Sequence, residues 1–156
     1  MAKFGRQRLV SHNAKFMNVL SMESPLVLVA DDEALIALDL EYALSEAGFT
    51  VAVVRSCSEA NLFLNEHTPA AAVLDVSLSD GECHEAAKTL ADLGVPFVVY
   101  TGLSVEASHG AFSHGTTVLK PTESAEVVRL LKAMTATQQQ KMTGDLRALE
   151  SGSCEA

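Results

Sequence analysis

The chain has 156 residues, a formal net charge of −9 and an apolar fraction of 48 %. Its length and apolar content suit one domain with a sizeable core. Its negative charge argues against nonspecific binding of nucleic acid by the whole surface. No apolar run approaches the roughly 18 residues of a transmembrane helix, and the basic start of the chain lacks the apolar stretch of a secretory signal. We therefore expect no membrane segment and a cytoplasmic protein.

The cysteines bear on the redox compartment. Cys57, Cys83 and Cys154 are odd in number and form no CxxC pair. Such usage fits a reduced cytoplasm better than a disulfide framework. We expect Cys83 to be a small helix residue and not a nucleophile.

The two ends of the chain differ from its middle in composition. Residues 1–24 carry a basic bias and are expected to form a flexible extension. Residues 136–156 are polar and are expected to form a frayed C-terminal tail. The folded domain is therefore predicted to span residues 25–135.

Between these ends, short apolar runs alternate with segments of helical spacing. Strand patterns cover residues 26–30, 50–54, 70–76, 95–101 and 116–120. Helical patterns cover residues 33–48, 56–67, 82–94, 102–115 and 121–134, the fourth of them weak. Ser56 and Thr122 are the predicted caps of the second and fifth helices, and the leucine and valine stripes are predicted to be core. Five βα units in succession predict a parallel sheet with helices on both faces.

Polar side chains stand at the carboxyl ends of most of the predicted strands. Asp31 and Asp32 follow the first strand, Asp75 follows the third, Thr101 ends the fourth and Lys120 ends the fifth. Ligands bind at the carboxyl ends of the strands in such sheets. The sequence therefore predicts one pocket that holds three carboxylates, a hydroxyl and an ammonium group.

These residue types indicate phosphoryl chemistry. Clustered carboxylates need a cation, and hard oxygen ligands with open positions suit Mg²⁺. An aspartate can attack phosphorus, while lysine and threonine can stabilise the transferred group. We expect a pocket that accepts a phosphoryl group with the help of a metal ion.

Four motifs in order, VADDE, AVLDVSLSDG, VVYTG and VLKP, each stand at a strand end. Together they resemble the receiver domain of two-component response regulators, over residues 25–134. The resemblance implies an α/β fold with a doubly wound, five-stranded parallel sheet in the flavodoxin-like order 2-1-3-4-5.

The resemblance also assigns the acidic residues. Asp75 would be the phosphoacceptor and a ligand of Mg²⁺. Asp32 would bind the metal directly, and Asp31 would act through a water or share the metal. The backbone carbonyl of Ser77 matches the position that completes the metal site.

The remaining motif residues receive roles in the same way. Thr101 would be the switch hydroxyl, and Lys120 would pair with the phosphoryl oxygen or with the resting carboxylate. Gly102 stands where a small residue lets a backbone N–H approach, and the bond between Lys120 and Pro121 is expected to be cis.

The sequence departs from the family pattern at Thr117, where an aromatic residue usually responds to the switch threonine. Tyr100 lies on the opposite face of its strand, so it is no simple substitute. We hypothesise that the weak helical region 103–115 transmits the signal instead.

Several functions fit these residues. The first is a stand-alone response regulator that receives phosphate from a histidine kinase or a histidine phosphotransfer protein. It would then bind a partner or drain phosphate as a sink. The only reactions expected are self-phosphorylation and autodephosphorylation. Only a short segment follows Met134, so no direct DNA binding is expected. A homodimer could form through the face made by the fourth helix, fifth strand and fifth helix.

Two alternatives stay open at this point. One is an unphosphorylated pseudo-receiver that acts as an interaction module, which Thr117 favours weakly and the complete acid–threonine–lysine set opposes. The other is a Mg²⁺-dependent phosphohydrolase, which ranks lower because the first strand lacks a DxDx[TV] motif and the chain lacks a cap domain.

Overall fold

The computed structural model describes residues 24–102 and 110–151. Five parallel strands form one sheet: β1 (Leu26–Ala30), β2 (Thr50–Val54), β3 (Ala71–Leu74), β4 (Phe97–Thr101) and β5 (Thr116–Leu119). Their order in the sheet is β2-β1-β3-β4-β5. The predicted α/β class and flavodoxin-like strand order are confirmed.

Helices follow the strands along the chain. They are α1 (Ala34–Glu46), α2 (Cys57–Glu66), α3 (His84–Asp92) and α4 (Ser124–Ser151), with a 3-10 helix at Gly110–His114 between β4 and β5. Ser56 caps α2 as predicted, because its side chain accepts a hydrogen bond from the Glu59 N–H. None of the helices in the described ranges is both long and apolar enough to cross a membrane.

Side chains that alternate along the strands build a core on each face of the sheet. On one face Leu28, Leu74 and Phe97 pack with residues of α2 and α3. On the other face Val29 and Val98 pack with residues of α1 and α4. This two-sided burial explains why the central strands have nearly continuous apolar sequences.

Helix α1 presents one of its apolar stripes to solvent. Ala37, Leu40 and Leu44 are its buried residues. The exposed stripe consists of Leu35, Leu38 and Tyr42, which are 83 %, 62 % and 67 % exposed. The interpretation of every leucine stripe as core was therefore wrong here. Two apolar stripes lie side by side on this helix, and packing against the sheet covers one of them.

The C-terminal helix differs from its prediction at both ends. It begins at Ser124, and the Thr122 hydroxyl donates to the Leu119 carbonyl, so the predicted cap at Thr122 was wrong. It continues to Ser151, where a frayed tail was expected. Gln138 on this extension donates a 2.7 Å hydrogen bond to the Gly94 carbonyl, which ties the helix to the turn after α3.

The cysteine prediction also needs correction. Cys57 and Cys83 form a disulfide with their Cα atoms 5.2 Å apart. Cys83 lies just before α3 and is buried, so it is not a free helix residue. The two residues meet because the connections after β2 and β3 leave the same edge of the sheet.

Three stretches with sequence-based expectations lie outside the described residues: 1–23, 103–109 and 152–156. They include the basic extension, Cys154 and half of the weak fourth helix, residues 103–109. The part of that helix that the structure describes is the 3-10 helix, which buries Phe112.

Candidate functional site

Two carboxylates are placed side by side by the sheet itself. Asp31 follows β1 and its N–H donates to the Val54 carbonyl, while Asp75 follows β3 and its N–H donates to the Ala30 carbonyl. The backbone hydrogen bonds between β1 and its two neighbours, β2 and β3, thus extend one residue beyond the strand ends. Asp31 is 1 % and Asp75 is 8 % exposed, so both are buried.

Lys120 reaches this acidic pair from the far end of the sheet. Its ammonium nitrogen lies 2.8 Å from Asp31 Oδ2 and 2.9 Å from Asp75 Oδ2. Its backbone N–H donates to the Thr101 carbonyl, and the Lys120–Pro121 bond is cis, as predicted. The ammonium group also lies 5.4 Å from the ring centroid of Tyr100, which adds a cation–π contact.

Glu33 is a site residue that the sequence reasoning missed. Its carboxylate accepts a 3.1 Å hydrogen bond from Lys120, and its backbone N–H donates to Asp31 Oδ1. The signal was present as the third acid of the VADDE motif. Lys120 is consequently held by three carboxylates, two of which do not depend on Asp75.

Burial and charge shift the ionisation of this cluster. Burial raises the pKa of Asp75 above its ordinary value, and the hydrogen bond and charge of Lys120 oppose this shift only in part. Burial alone would lower the pKa of Lys120, but its hydrogen bonds to three carboxylates outweigh that effect and raise it. Lys120 therefore stays charged, and one positive charge faces several acids.

The acids of the site fit a hard divalent cation. Asp31, Asp32 and Asp75 can each offer one carboxylate oxygen, and these oxygens lie within 4.8 Å of one another. Asp32 is exposed, so one side of the group is open to water. Mg²⁺ prefers this combination of a few carboxylates and retained waters.

A cavity of about 460 Å³ opens in front of the acidic group. Its lining includes Asp75, Thr101, Gly102 and Lys120, so the structure brings these predicted residues together. Apart from Gly102 itself and its chain neighbours, no described atom lies within 4 Å of where a Cβ would stand at this position. Space is thus available beside Asp75 for a group the size of a phosphate.

Ser77 also lines this cavity, and its position comes from a hairpin that the sequence reasoning missed. Ser77–Leu78 pairs with Gly81–Glu82 in antiparallel fashion immediately after Asp75. The backbone of Ser77 favours the ionised form of Asp75 and so opposes part of the rise in the pKa of that carboxyl. The assignment of the Ser77 carbonyl to the metal remains a prediction.

The structure leaves the usual threonine–aromatic pair incomplete. Thr117 is exposed on β5, in register with Val99. Tyr100 packs in the core beside α1 and α4, and its hydroxyl donates a 2.9 Å hydrogen bond to the Thr122 carbonyl. Its hydroxyl is therefore bonded outside the cavity, and its failure to replace the missing aromatic residue stays a prediction.

The chain is similar to known proteins in both sequence and structure. No protein-family model matches the chain. The virulence transcriptional regulatory protein PhoP of Salmonella choleraesuis is 31 % identical over 116 residues, which cover 69 % of this chain and 50 % of that protein. The chain thus spans about half the length of this curated relative.

Solved receiver domains share the fold. The response regulator receiver protein from Sinorhizobium medicae has a TM-score of 0.68 at 26 % identity, over 74 % of this chain and 98 % of that chain. The receiver domain of a sensor histidine kinase from Pseudomonas aeruginosa, determined with a magnesium ion in its active site cleft, has a TM-score of 0.64 at 18 % identity. That alignment covers 72 % of this chain and 98 % of the other.

Proposed function

We propose that this chain, which carries a response-regulator receiver domain, accepts a phosphoryl group on Asp75 with the help of Mg²⁺. One observation carries the proposal: the side chains of Asp31, Asp75 and Lys120 are in contact at an open cavity. A nucleophilic carboxylate, a fixed cation and free space are the parts that phosphoryl transfer needs.

The reaction follows from the positions of these groups. A carboxylate oxygen of Asp75 attacks the phosphorus of a phosphodonor, the bond from phosphorus to the donor breaks, and an acyl phosphate forms. Lys120, now 2.9 Å from Asp75 Oδ2, would contact a phosphoryl oxygen. Asp31 and Glu33 hold the same ammonium group. They would keep it in place after Asp75 has reacted.

Asp31, Asp32 and Asp75 would hold Mg²⁺ together with the Ser77 carbonyl. The ion, when bound, neutralises charge on the transferred phosphoryl oxygens. Thr101 lines the cavity, where its hydroxyl would donate a hydrogen bond to one of these oxygens.

The donor we propose is a phosphohistidine of a sensor histidine kinase or a phosphotransfer protein. A protein donor has to cover the rim of the cavity in order to bring its histidine to Asp75. Helix α1 starts at this rim, and its Leu35 and Tyr42 are 83 % and 67 % exposed. We propose that this stripe contacts the donor.

The phosphorylated domain would also act through contact with another protein. We propose a cytoplasmic regulator whose receiver domain signals by protein contact or drains phosphate, and whose only reactions are self-phosphorylation and autodephosphorylation. Its relative PhoP is described as a transcriptional regulator. The match covers only half of that protein, so no DNA binding is proposed for this chain.

The test is intact-mass spectrometry after incubation with acetyl phosphate, with and without Mg²⁺. One phosphoryl adduct is expected in the wild type with Mg²⁺, and none in Asp75→Asn. Asp92→Asn is the matched control, because it makes the same chemical change at an exposed aspartate at the end of α3, outside the cavity, and should keep the adduct. A folded protein that gives no adduct with any donor would support a pseudo-receiver. Continuous hydrolysis of the donor by Asp75→Asn would support a phosphohydrolase.

A further inference from the structure

We infer that Cys57 and Cys83 are a reversible thiol–disulfide site, formed by a peroxide-class oxidant and opened by a dithiol, that controls how fast Asp75 accepts a phosphoryl group. The existence of the site stands on the geometry alone. Its effect on rate rests on the proposed function.

The covalent link is compatible with the folded backbone. The Cα atoms of Cys57 and Cys83 are 5.2 Å apart, and the residues are separated by 26 positions in the sequence. Natural disulfides have Cα separations of about 4.4–6.8 Å. No movement of the sheet is therefore required for the bond to form or to open.

The bond ties the phosphoacceptor loop to a neighbouring helix. The Cys83 N–H donates to the Val76 carbonyl and closes the base of the hairpin that follows Asp75. Cys57 is the first residue of α2. The disulfide therefore fixes the base of this hairpin, which carries the cavity residue Ser77, to the start of α2.

A second tie holds the tip of the hairpin independently of the sulfur atoms. The Asp80 carboxylate accepts hydrogen bonds of 2.7 and 3.0 Å from the N–H groups of Cys57 and Ser58, and one of 2.8 Å from the Ser58 hydroxyl. If the disulfide opens, Asp80 keeps the hairpin near α2 while its base gains freedom. The reduced state is thus a loosened native state and not an unfolded one.

The burial of the two sulfur-bearing residues indicates the order of the chemistry. Cys57 is partly exposed, whereas Cys83 is 1 % exposed. The Cys57 thiolate attacks a peroxide oxygen, the O–O bond breaks, and a sulfenic acid forms with loss of water. Cys83 then attacks the Cys57 sulfur, the S–S bond forms, and the hydroxyl leaves as water with the Cys83 proton. Two thiols and one hydrogen peroxide give one disulfide and two waters.

Reduction runs through the same accessible sulfur. A thiolate of the dithiol attacks the Cys57 sulfur, and Cys83 leaves as a thiolate that takes up a proton. The second thiol of the reductant then attacks the mixed disulfide, which releases Cys57 and leaves the reductant as a cyclic disulfide. A protein in a reducing compartment can therefore respond to oxidant at this site.

The first readout does not involve phosphorylation. The full-length chain is treated with hydrogen peroxide or with dithiothreitol and is then mapped by mass spectrometry without reduction. We expect peroxide to remove two hydrogens and to join the peptides of Cys57 and Cys83, in the wild type and in Cys154→Ser alike. Free thiols at both positions after peroxide, or a link to Cys154, would overturn the assignment. Reduction should also lower the unfolding temperature by about 5–10 °C, because a long closed loop is opened.

The second readout is the rate of adduct formation with acetyl phosphate and Mg²⁺. The oxidised wild type should react at least about threefold faster than the reduced wild type, because a fixed loop keeps the cavity in its reactive geometry. Cys57→Ser should react at the slow rate under both conditions, while Cys154→Ser should behave like the wild type. Equal rates in the two redox states of the wild type would overturn the control of rate. Absence of any adduct in all states would instead remove the proposed function and leave the disulfide to be judged by peptide mapping.

Discussion

Lys120 contacts Asp75 through a 2.9 Å hydrogen bond from Nζ to Oδ2, although 45 residues separate them along the chain. The contact is made possible by the sheet order, which places β5 at the edge and β3 at the centre, with β4 between them. The side chain of Lys120 therefore crosses the carboxyl edge of the sheet to reach the acid. In the proposed reaction, a phosphoryl oxygen takes the place of this carboxylate oxygen as the hydrogen-bond partner of Lys120.

Loss of the lysine charge should destabilise the resting protein. Lys120→Met would leave Asp31 and Asp75, whose side chains are 2 % and 10 % exposed, without a cation. We expect the free energy of unfolding to fall by about 3 kcal/mol without Mg²⁺, since removal of one partner leaves buried charge uncompensated. Denaturant unfolding of the two proteins measures the difference.

The matched variant removes charge of the opposite sign from the same cluster. Asp75→Asn should lower the free energy of unfolding by no more than about 1 kcal/mol, or should raise it. The substitution removes a buried carboxylate and leaves Lys120 paired with Asp31 and Glu33. If Asp75→Asn proved as destabilising as Lys120→Met, excess negative charge would not be the dominant feature of the site.

The exposed stripe of α1 should affect phosphotransfer between proteins but not the chemistry itself. Leu38→Ala and Tyr42→Ala, at positions 62 % and 67 % exposed, should slow transfer from a phosphohistidine protein by about tenfold, in line with the loss of an interface contact. The rate with acetyl phosphate should be unchanged, because this donor is too small to touch the stripe. Leu62→Ala on α2, also an exposed leucine at 64 %, is the control and should transfer normally.

The hydrogen bonds that Asp80 accepts from the start of α2 should make the free energy of unfolding depend on pH in the acid range. Hydrogen bonds from the N–H groups of Cys57 and Ser58 lower the pKa of Asp80 from its ordinary 3.8 to about 2. Its stabilising contribution is therefore complete above about pH 4 and is lost as the pH falls towards 2. The unfolding free energies of the wild type and Asp80→Asn should differ at pH 6 and converge near pH 2. A difference that stays constant over this range would contradict this role of Asp80.

Gly115 should be intolerant of a methyl group. A Cβ at this position would lie 2.5 Å from the Phe97 ring and 2.8 Å from Val99 Cγ2. Gly115→Ala should lower the free energy of unfolding by about 1–3 kcal/mol through overpacking. Gly144→Ala in α4 is the control, because no described atom outside its own helix backbone and its chain neighbours lies within 4 Å of its Cβ position. It should not destabilise the protein, and it should raise helix content, since alanine favours helix over glycine by about 1 kcal/mol.

Much of the site was predictable because the carboxyl ends of parallel strands lie at the same edge of the sheet. Residues that directly follow such strands in the sequence are therefore close together in the fold. Asp31, Asp75 and Lys120 each follow a predicted strand, and their convergence required only the strand order. The contact of Glu33 with Lys120 could not be read in the same way, since it depends on the conformation of the turn before α1. The disulfide was missed for a similar reason, because two loops far apart in sequence meet only in the folded chain.

Helix patterns were less informative about burial and length. Helix α1 has two adjacent apolar stripes, one with Leu38 and one with Leu40. Hydrophobic spacing alone does not predict which of the two is buried against the sheet. The extension of α4 is polar, and its contact with the body of the domain runs through Gln138 and Gly94, which no hydrophobic period reveals. The hypothesis that residues 103–115 transmit the signal remains a prediction, and amide exchange of that segment with and without phosphorylation would test it.

The most direct test of the central claim is to locate the phosphoryl group on the chain. The protein is incubated with acetyl phosphate and Mg²⁺, the acyl phosphate is reduced with borohydride, and the modified residue is identified by peptide mass spectrometry. Reduction converts a phosphorylated aspartate into homoserine. We predict homoserine at position 75 and unmodified aspartate at positions 31, 32 and 80. Homoserine at position 31 or 32 would instead place the nucleophile on the first strand and contradict the account.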